Sequence, residues 1–429
     1  MYVADSRAGN PAPVSADGAV RSSTGRRLSA VAPTVLALGT VSLITDVSSE
    51  MVTAVLPLYL VTGLGLSPLG FGLLDGIYNG FSALVRLAGG HLADRGNGRH
   101  KWVAGFGYGI SALCKPLLLL THSLTPIGLV LAADRTGKGL RTAPRDALIS
   151  LSSTPETRGR AFGVHRAMDT AGALLGPLVA FLILRATVDG YDAVFTVSFC
   201  VAVVGVLALV LFVPGGGRDT EPGDGIRPTL RAALALLRRR DLRRITVCAL
   251  LLGLATVSDS FVYLLLQRRL GVPDRWFALL PLGTAAAFLL LAMPLGRLAD
   301  RVGRWRIFLA GHGALLLAYA LLLTSWHSTA LPYLVLALHG GFYAATDGVL
   351  MAAASDSVPE ALRSSGLALV QTGQALARFS CSLAFGAAWT LWGDRTALMA
   401  STAALAVCAA FALSLRPHGR APVRTEGTV

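Results

Sequence analysis

The sequence predicts an all-α membrane protein with twelve transmembrane helices arranged as two pseudo-symmetric six-helix halves. Three observations carry this expectation. Hydrophobic residues make up 53% of the 429 positions and charged residues 14%, with a mean hydropathy of +0.61, whereas a soluble protein carries about 25% charged residues. Apolar runs of the roughly 20 residues needed to cross a bilayer recur along the whole chain. A short charged segment also occurs twice, at a separation close to half the length.

Residues 1–30 mix Ala, Ser, Gly, Pro and Arg without periodicity and read as a disordered tail. Thirty polar residues precede the first apolar run and no clear small-residue cleavage site follows it, so the first span is expected to be retained. Apolar runs set against breakers place spans near 31–61, 69–92, 102–121, 126–149, 161–184, 193–213, 244–267, 275–299, 305–324, 330–353, 367–392 and 396–415. The stretch 214–243 opens on Pro214-Gly215-Gly216-Gly217 and continues into an arginine-rich segment. It reads as a linker between an N-terminal half, 31–213, and a C-terminal half, 244–415, with 416–429 as a second tail.

The net charge of +14 is explained by topology. A nucleic-acid partner is not expected, because the arginines sit between apolar runs and form no basic face on a soluble domain. With the amino terminus inside, segments assigned to the cytoplasm hold 24 basic residues and external loops hold 5, as the enrichment of Lys and Arg in cytoplasmic loops requires. Both termini are thus expected in the cytoplasm. Only Lys101, Lys115 and Lys138 are lysine, and the abundance of Ala, Gly and Arg suggests a GC-rich bacterial genome, hence a bacterial plasma membrane. The five cysteines lie in apolar segments without a short pairing, and the eight histidines form no ligand-spaced pair, so neither disulfides nor a metal site are expected.

The repeat is Gly90-His91-Leu92-Ala93-Asp94-Arg95 at the end of span two and Gly296-Arg297-Leu298-Ala299-Asp300-Arg301 at the end of span eight, 206 positions apart. Pro155-Glu156-Thr157-Arg158 and Pro359-Glu360-Ala361-Leu362-Arg363 echo each other at almost the same separation. Duplicated six-helix halves are the architecture of one large transporter class, and from about 31 to 415 the chain resembles the major facilitator superfamily. Its loop signature, G-x-L-a-D-r-x-G-r-r, is carried by Gly296, Asp300, Arg301, Gly303 and Arg304. The first copy runs through Gly90, Asp94 and Arg95 to Arg99 with one extra residue. The resemblance implies a cytoplasmic gating network for these residues; the alternative is positive-inside topology with helix-end electrostatics. Asp134-Arg135-Thr136-Gly137-Lys138-Gly139 is similar to the family's R-x-x-q-G signature, with Lys138 in place of glutamine, and implies a proton-coupling role for Arg135. Gly172, Gly176 and Pro177 resemble part of the antiporter signature, which implies a hinge; close packing of small residues is the other reading.

Ionisable groups inside spans mark pathways or buried pairs. Asp46 and Glu50 lie one helical turn apart in span one, and two neighbouring carboxylates are able to hold a proton between them. They are read as a coupling site, or else as partners of Arg86 or Arg135 that lock the bundle. Lys138, Arg141, Arg145 and Asp146 are expected to pair with acids on spans one, two and five. Lys115, His165, Arg166 and Asp169 are further embedded groups, while Asp75, near the outer end of span two, is expected to meet solvent. In the second half Asp259, Asp347, Gln374 and Arg378 are the polar inserts. The family's cavity-lining spans one, four, seven and ten would bring Asp46, Arg135, Asp259 and Asp347 to a shared cavity.

Together these features predict a monomeric secondary active transporter, surrounded by membrane lipids, that exchanges a small organic molecule or drug for protons. No cofactor is expected beyond the proton gradient. A symporter or uniporter for a metabolite, an anionic one if the embedded arginines bind it, and a non-transporting sensor or scaffold on the same fold remain open. No nucleophile stands at motif spacing from a base, so an enzyme is not expected.

Overall fold

The computed structural model describes residues 32–95, 100–154, 157–187, 190–214, 236–324, 328–356, 358 and 363–414. The tails and most of the linker lie outside the described residues. The helices in order are α1 (Pro33–Leu58), continued as a π-helical turn over Tyr59–Gly63, α2 (Pro68–Arg95), α3 (His100–Leu120), α4 (Leu124–Leu151), α5 (Arg158–Ala186) and α6 (Gly190–Phe212). After a 3-10 turn come α7 (Arg240–Ala255), α8 (Asp259–Leu270), the short α9 (Asp274–Phe277), α10 (Leu280–Val302), α11 (Arg304–Leu323), α12 (Leu331–Asp356) and α13 (Arg363–Ser414).

Nine stretches among the described residues are long and apolar enough to cross a membrane. The remaining passages have visible reasons for differing. α2 and α4 are each 28 residues long but carry ionisable groups; in α4 these are Asp134, Arg135, Lys138, Arg141, Arg145 and Asp146, and Arg135, Arg141 and Arg145 are buried. α13 turns sharply at Gly393 (φ 81°, ψ 165°), a backbone region that favours glycine, so its 52 residues make two passages. The described helices are consistent with twelve passages. Span seven, expected as one helix, is broken at Thr256–Ser258 between α7 and α8. The freed Val257 amide donates to the Tyr319 hydroxyl at 2.8 Å, which satisfies in a buried place a backbone group that lipid would leave unpaired.

The duplication is visible in the packing. α1 lies against α5 and α6, α2 against α4, and α3 against α4; in the second half α7 lies against α13, α10 against α12, and α11 against α12. Small residues set these approaches, as membrane helices without a hydrophobic drive between them require. A Cβ on Gly172 would stand 2.5 Å from the Leu43 carbonyl oxygen, one on Gly176 would stand 2.7 Å from the Glu50 Cβ, and one on Gly340 would stand 2.5 Å from the Thr284 carbonyl oxygen.

The halves meet most extensively where α2 lies against α13. The contact is made by backbone: a Cβ on Gly72 would lie 2.6 Å from the Ser382 carbonyl oxygen, and one on Gly386 would lie 2.5 Å from that of Pro68. The Leu69 amide donates to Thr390 Oγ1 at 2.9 Å, and Phe181 packs against Trp276 at a tilt, with centroids 5.1 Å apart, at the same end. These contacts seal the halves together at the end carrying the α1–α2 turn.

Candidate functional site

The N-terminal half holds a charge cluster strung along one face of α4. Lys138, Arg141 and Arg145 follow helical spacing and point toward α1 and α5. Lys138 Nζ is 3.6 Å from Glu50 Oε1 and Arg141 Nη2 is 3.4 Å from Asp46 Oδ1. Arg145 reaches Asp169 of α5 at 3.4 Å, its neighbour Asp146 at 3.2 Å, and the Ser42 hydroxyl of α1 at 3.2 Å. Asp46 and Asp169 also lie close enough to share a hydrogen bond. The carboxyl that faces Asp46 is thus Asp169, a residue on another helix, and not its turn-neighbour Glu50.

Arg135 takes neither Asp46 nor Glu50 as its ion-pair partner. It pairs with Asp134 at 3.0 Å and sits over the Tyr78 ring, 3.5 Å from the centroid, and the Tyr78 hydroxyl bonds Thr53 of α1. The side chain of Arg86 lies outside what is described. The cations expected to pair with acids on spans one and five do so; among the described residues no such pair reaches span two.

The second cluster belongs to the C-terminal half and surrounds a cleft of about 90 Å³ that opens to solvent. Asp259, Asp347, Gln374 and Arg378 all line it, with Phe308, His312, Phe342 and Tyr343 as aromatic walls and Asn79 reaching in from α2. The break between α7 and α8 places Asp259 in the first turn of α8, where the helix dipole favours an anion. Asp259 accepts a hydrogen bond from the Tyr343 hydroxyl at 2.5 Å and faces His339 Nε2 at 3.4 Å. Its side chain is nonetheless 46% exposed to the cleft, which leaves an acceptor face for a ligand.

The expected single cavity is therefore divided: Asp259 and Asp347 share the cleft, whereas Asp46 and Arg135 do not line it and sit in the charge cluster of the other half. Sequence reading missed Tyr343 as an acid partner, His339 as a cleft neighbour, and Asp75. Asp75 is 5% exposed, buried between the halves and not solvated. The gating motif is described in its second copy. Gly303 turns the chain at φ 109° and Arg304 Nε lies 3.5 Å from Asp300 Oδ1, joining α10 to α11 on the surface. Of the first copy, Gly90, Asp94 and Arg95 fall in α2 with side chains outside the described set, and Arg99 lies outside the described residues altogether. Gly172 and Gly176 bring α5 onto α1 beside Asp46 and Glu50, and α5 runs through Pro177 as one helix.

Comparison with known proteins agrees with this architecture. The chain is 30% identical over 378 residues, 86% of its own length and 91% of the relative's, to an uncharacterized MFS-type transporter of Methanocaldococcus jannaschii. Among solved structures it resembles a mutant of the nucleoside transporter NupG (TM-score 0.77, 15% identity, 90% of this chain and 100% of that one). It also resembles a bacterial homolog of the human lysosomal transporter Spinster, in an inward-facing and unoccupied conformation (TM-score 0.72, 16% identity, 89% and 96%). These identities speak for the fold alone. The sequence profile of the Major Facilitator Superfamily matches residues 38–381, and the chain belongs to that family: a multi-pass secondary transporter of small molecules, not an enzyme.

Proposed function

We propose that the protein exports a small organic molecule in exchange for protons, with the C-terminal cleft as its substrate site. The carrying observation is the lining of that cleft, where Asp259, Asp347, Gln374 and Arg378 converge among aromatic walls. Two carboxylates against one guanidinium favour a substrate with a cationic group, and the faces of Phe308, Phe342 and Tyr343 favour an apolar or aromatic body. The same balance speaks against a purely anionic metabolite. Asp46 supports proton coupling: a proton shared with Asp169 and the cation of Arg141 compete for one carboxyl, so loading the proton loosens the tie between α1 and α4.

With both termini in the cytoplasm, as the basic-residue asymmetry favours, the sealed end faces outward and the cleft faces inward. Exposed side chains such as Leu120, Leu211 and Leu290 then face lipid around a monomer in the bacterial plasma membrane. Alternating access rocks the halves so that the α2–α13 seam opens as the α10–α11 end closes. In this cycle Asp300, Arg301 and Arg304, with Asp94, Arg95 and Arg99, act at the cytoplasmic gate. The test is accumulation of a panel of organic cations in cells with and without the gene. Expression should lower accumulation of at least one compound, and Asp259→Asn with Asp347→Asn should restore it. A panel unchanged by confirmed expression would refute the reading.

A further inference from the structure

Asp75 is a carboxylate for which the cleft and the α1–α4–α5 charge cluster have no use, and its surroundings are specific. Its Oδ2 accepts two hydrogen bonds at 2.5 Å, from Ser258 at the α7–α8 break and from Ser382 on α13. Its Oδ1 accepts from Asn79 Nδ2, one turn along α2, at 3.1 Å. Two of these three donors belong to the opposite half of the molecule, and they sit where Gly72 and Gly386 bring the α2 and α13 backbones into contact. None of the ion pairs found among the described residues includes Asp75. The titratable and charged groups around the seam are Asp259 of α8, Cys381 and Arg378 of α13, Tyr78 of α2 with Arg135 of α4 over its ring, and Glu50 of α1.

A buried carboxylate held only by neutral donors is costly as an anion. The same cage accepts the neutral acid at the loss of one hydrogen bond, that from Asn79 Nδ2 to the Asp75 main-chain oxygen at 3.0 Å. Oδ2 keeps both serine donors, and a proton on Oδ1 donates to the Asn79 side-chain oxygen once that amide is turned over, an exchange of nearly isosteric ends. Opening the seam, which alternating access demands, separates Asp75 from Ser258 and Ser382 and hands it to water.

We propose that Asp75 is a protonation-dependent latch: its carboxyl takes a proton from the medium when the α2–α13 seam opens, and the seam recloses over the neutral acid. The proton passes from water to Oδ1, forming one O–H bond, and leaves by the reverse step when the seam next opens. Ser258 and Asn79 also line the substrate cleft, so an occupant of the cleft touches two of the three groups that hold the latch. The inference rests on the proton-coupled reading above but assigns a second carboxyl, remote from Asp46.

The experiment places nitroxide labels at Leu69→Cys and Leu391→Cys, on opposite sides of the seam, in the full-length protein with its five native cysteines replaced, in lipid nanodiscs. The closed population is expected to fall as pH is raised, and to stay high at every pH in Asp75→Asn. The Ser258→Ala, Ser382→Ala double variant keeps the carboxyl and loses its cross-half donors, and should move the midpoint by about one pH unit. A parent protein without pH response, an unmoved midpoint, or a response that survives Asp75→Asn overturns the latch. A response that disappears in Asp46→Asn but survives Asp75→Asn does so while leaving Asp46 as the coupling group. The labels report without any substrate, so failure to find a transported compound leaves this test intact.

Discussion

A single methyl group at the seam separates a conformational effect from a folding effect. In Gly72→Ala the new Cβ would lie 2.6 Å from the Ser382 carbonyl oxygen and 3.2 Å from the Gly386 Cα, where ordinary contact begins at 3.4 Å. Both neighbours are backbone, so no side chain is able to swing aside, and α2 and α13 must part by most of an ångström. Overpacking of this kind costs about 1–3 kcal/mol. Only the sealed conformer bears that cost, so the sealed-to-open ratio should fall about 5- to 150-fold. Gly172→Ala is the matched control: its Cβ would lie 2.5 Å from the Leu43 carbonyl oxygen, but α1 and α5 belong to one half and stay together in both conformers. It should lower thermal stability by a similar amount and leave the seam alone. Spin-label distances between positions 69 and 391 read the first effect, and thermal unfolding in detergent reads the second. An unchanged distance distribution in Gly72→Ala, or an equal change in Gly172→Ala, would refute the assignment of α2–α13 as the moving seam.

Other expectations follow from single contacts. Arg141→Gln strips Asp46 of its cation in a place where the arginine side chain is 4% exposed, so unfolding should cost about 3–5 kcal/mol less; adding Asp46→Asn should recover most of it, as read by thermal unfolding. Tyr343→Phe removes the hydroxyl that holds Asp259, and apparent affinity for a cationic substrate should weaken about tenfold at unchanged expression, measured by the concentration dependence of transport. Arg304→Gln breaks an ion pair whose acid is 68% exposed; stability should move by less than about 1 kcal/mol while turnover falls, and unaltered turnover would remove the second motif copy from gating.

The passages were legible because bilayer thickness imposes a long apolar run on each helix, and the halves because Gly90–Arg95 and Gly296–Arg301 repeat at equivalent helix ends. That Lys138, Arg141 and Arg145 need acidic partners was legible because charges inside a span are costly unpaired. The individual pairings were not, since which acid on α1 or α5 meets which cation depends on how far Gly172 and Gly176 let those helices slide together. Asp75 was misread because depth along a span says nothing about which neighbour covers it; its partner Ser382 lies 307 positions away. The break at Thr256–Ser258 carries no proline, and its residues fit an apolar run. The adjacent Ser258-Asp259, a pair typical of helix starts, was the available signal, although the Ser258 hydroxyl turns to Asp75 and caps nothing.

The most direct test of the account is substrate-driven proton movement in proteoliposomes that hold the purified protein and a pH-sensitive dye in the lumen. Adding tetraphenylphosphonium, or a compound identified by the accumulation panel, should move protons opposite to the substrate in the parent protein. That movement should vanish in Asp259→Asn, which removes a cleft carboxylate, and in Asp46→Asn, where proton and substrate are uncoupled. Substrate flux without proton movement in the parent, or proton movement that both variants retain, would contradict it.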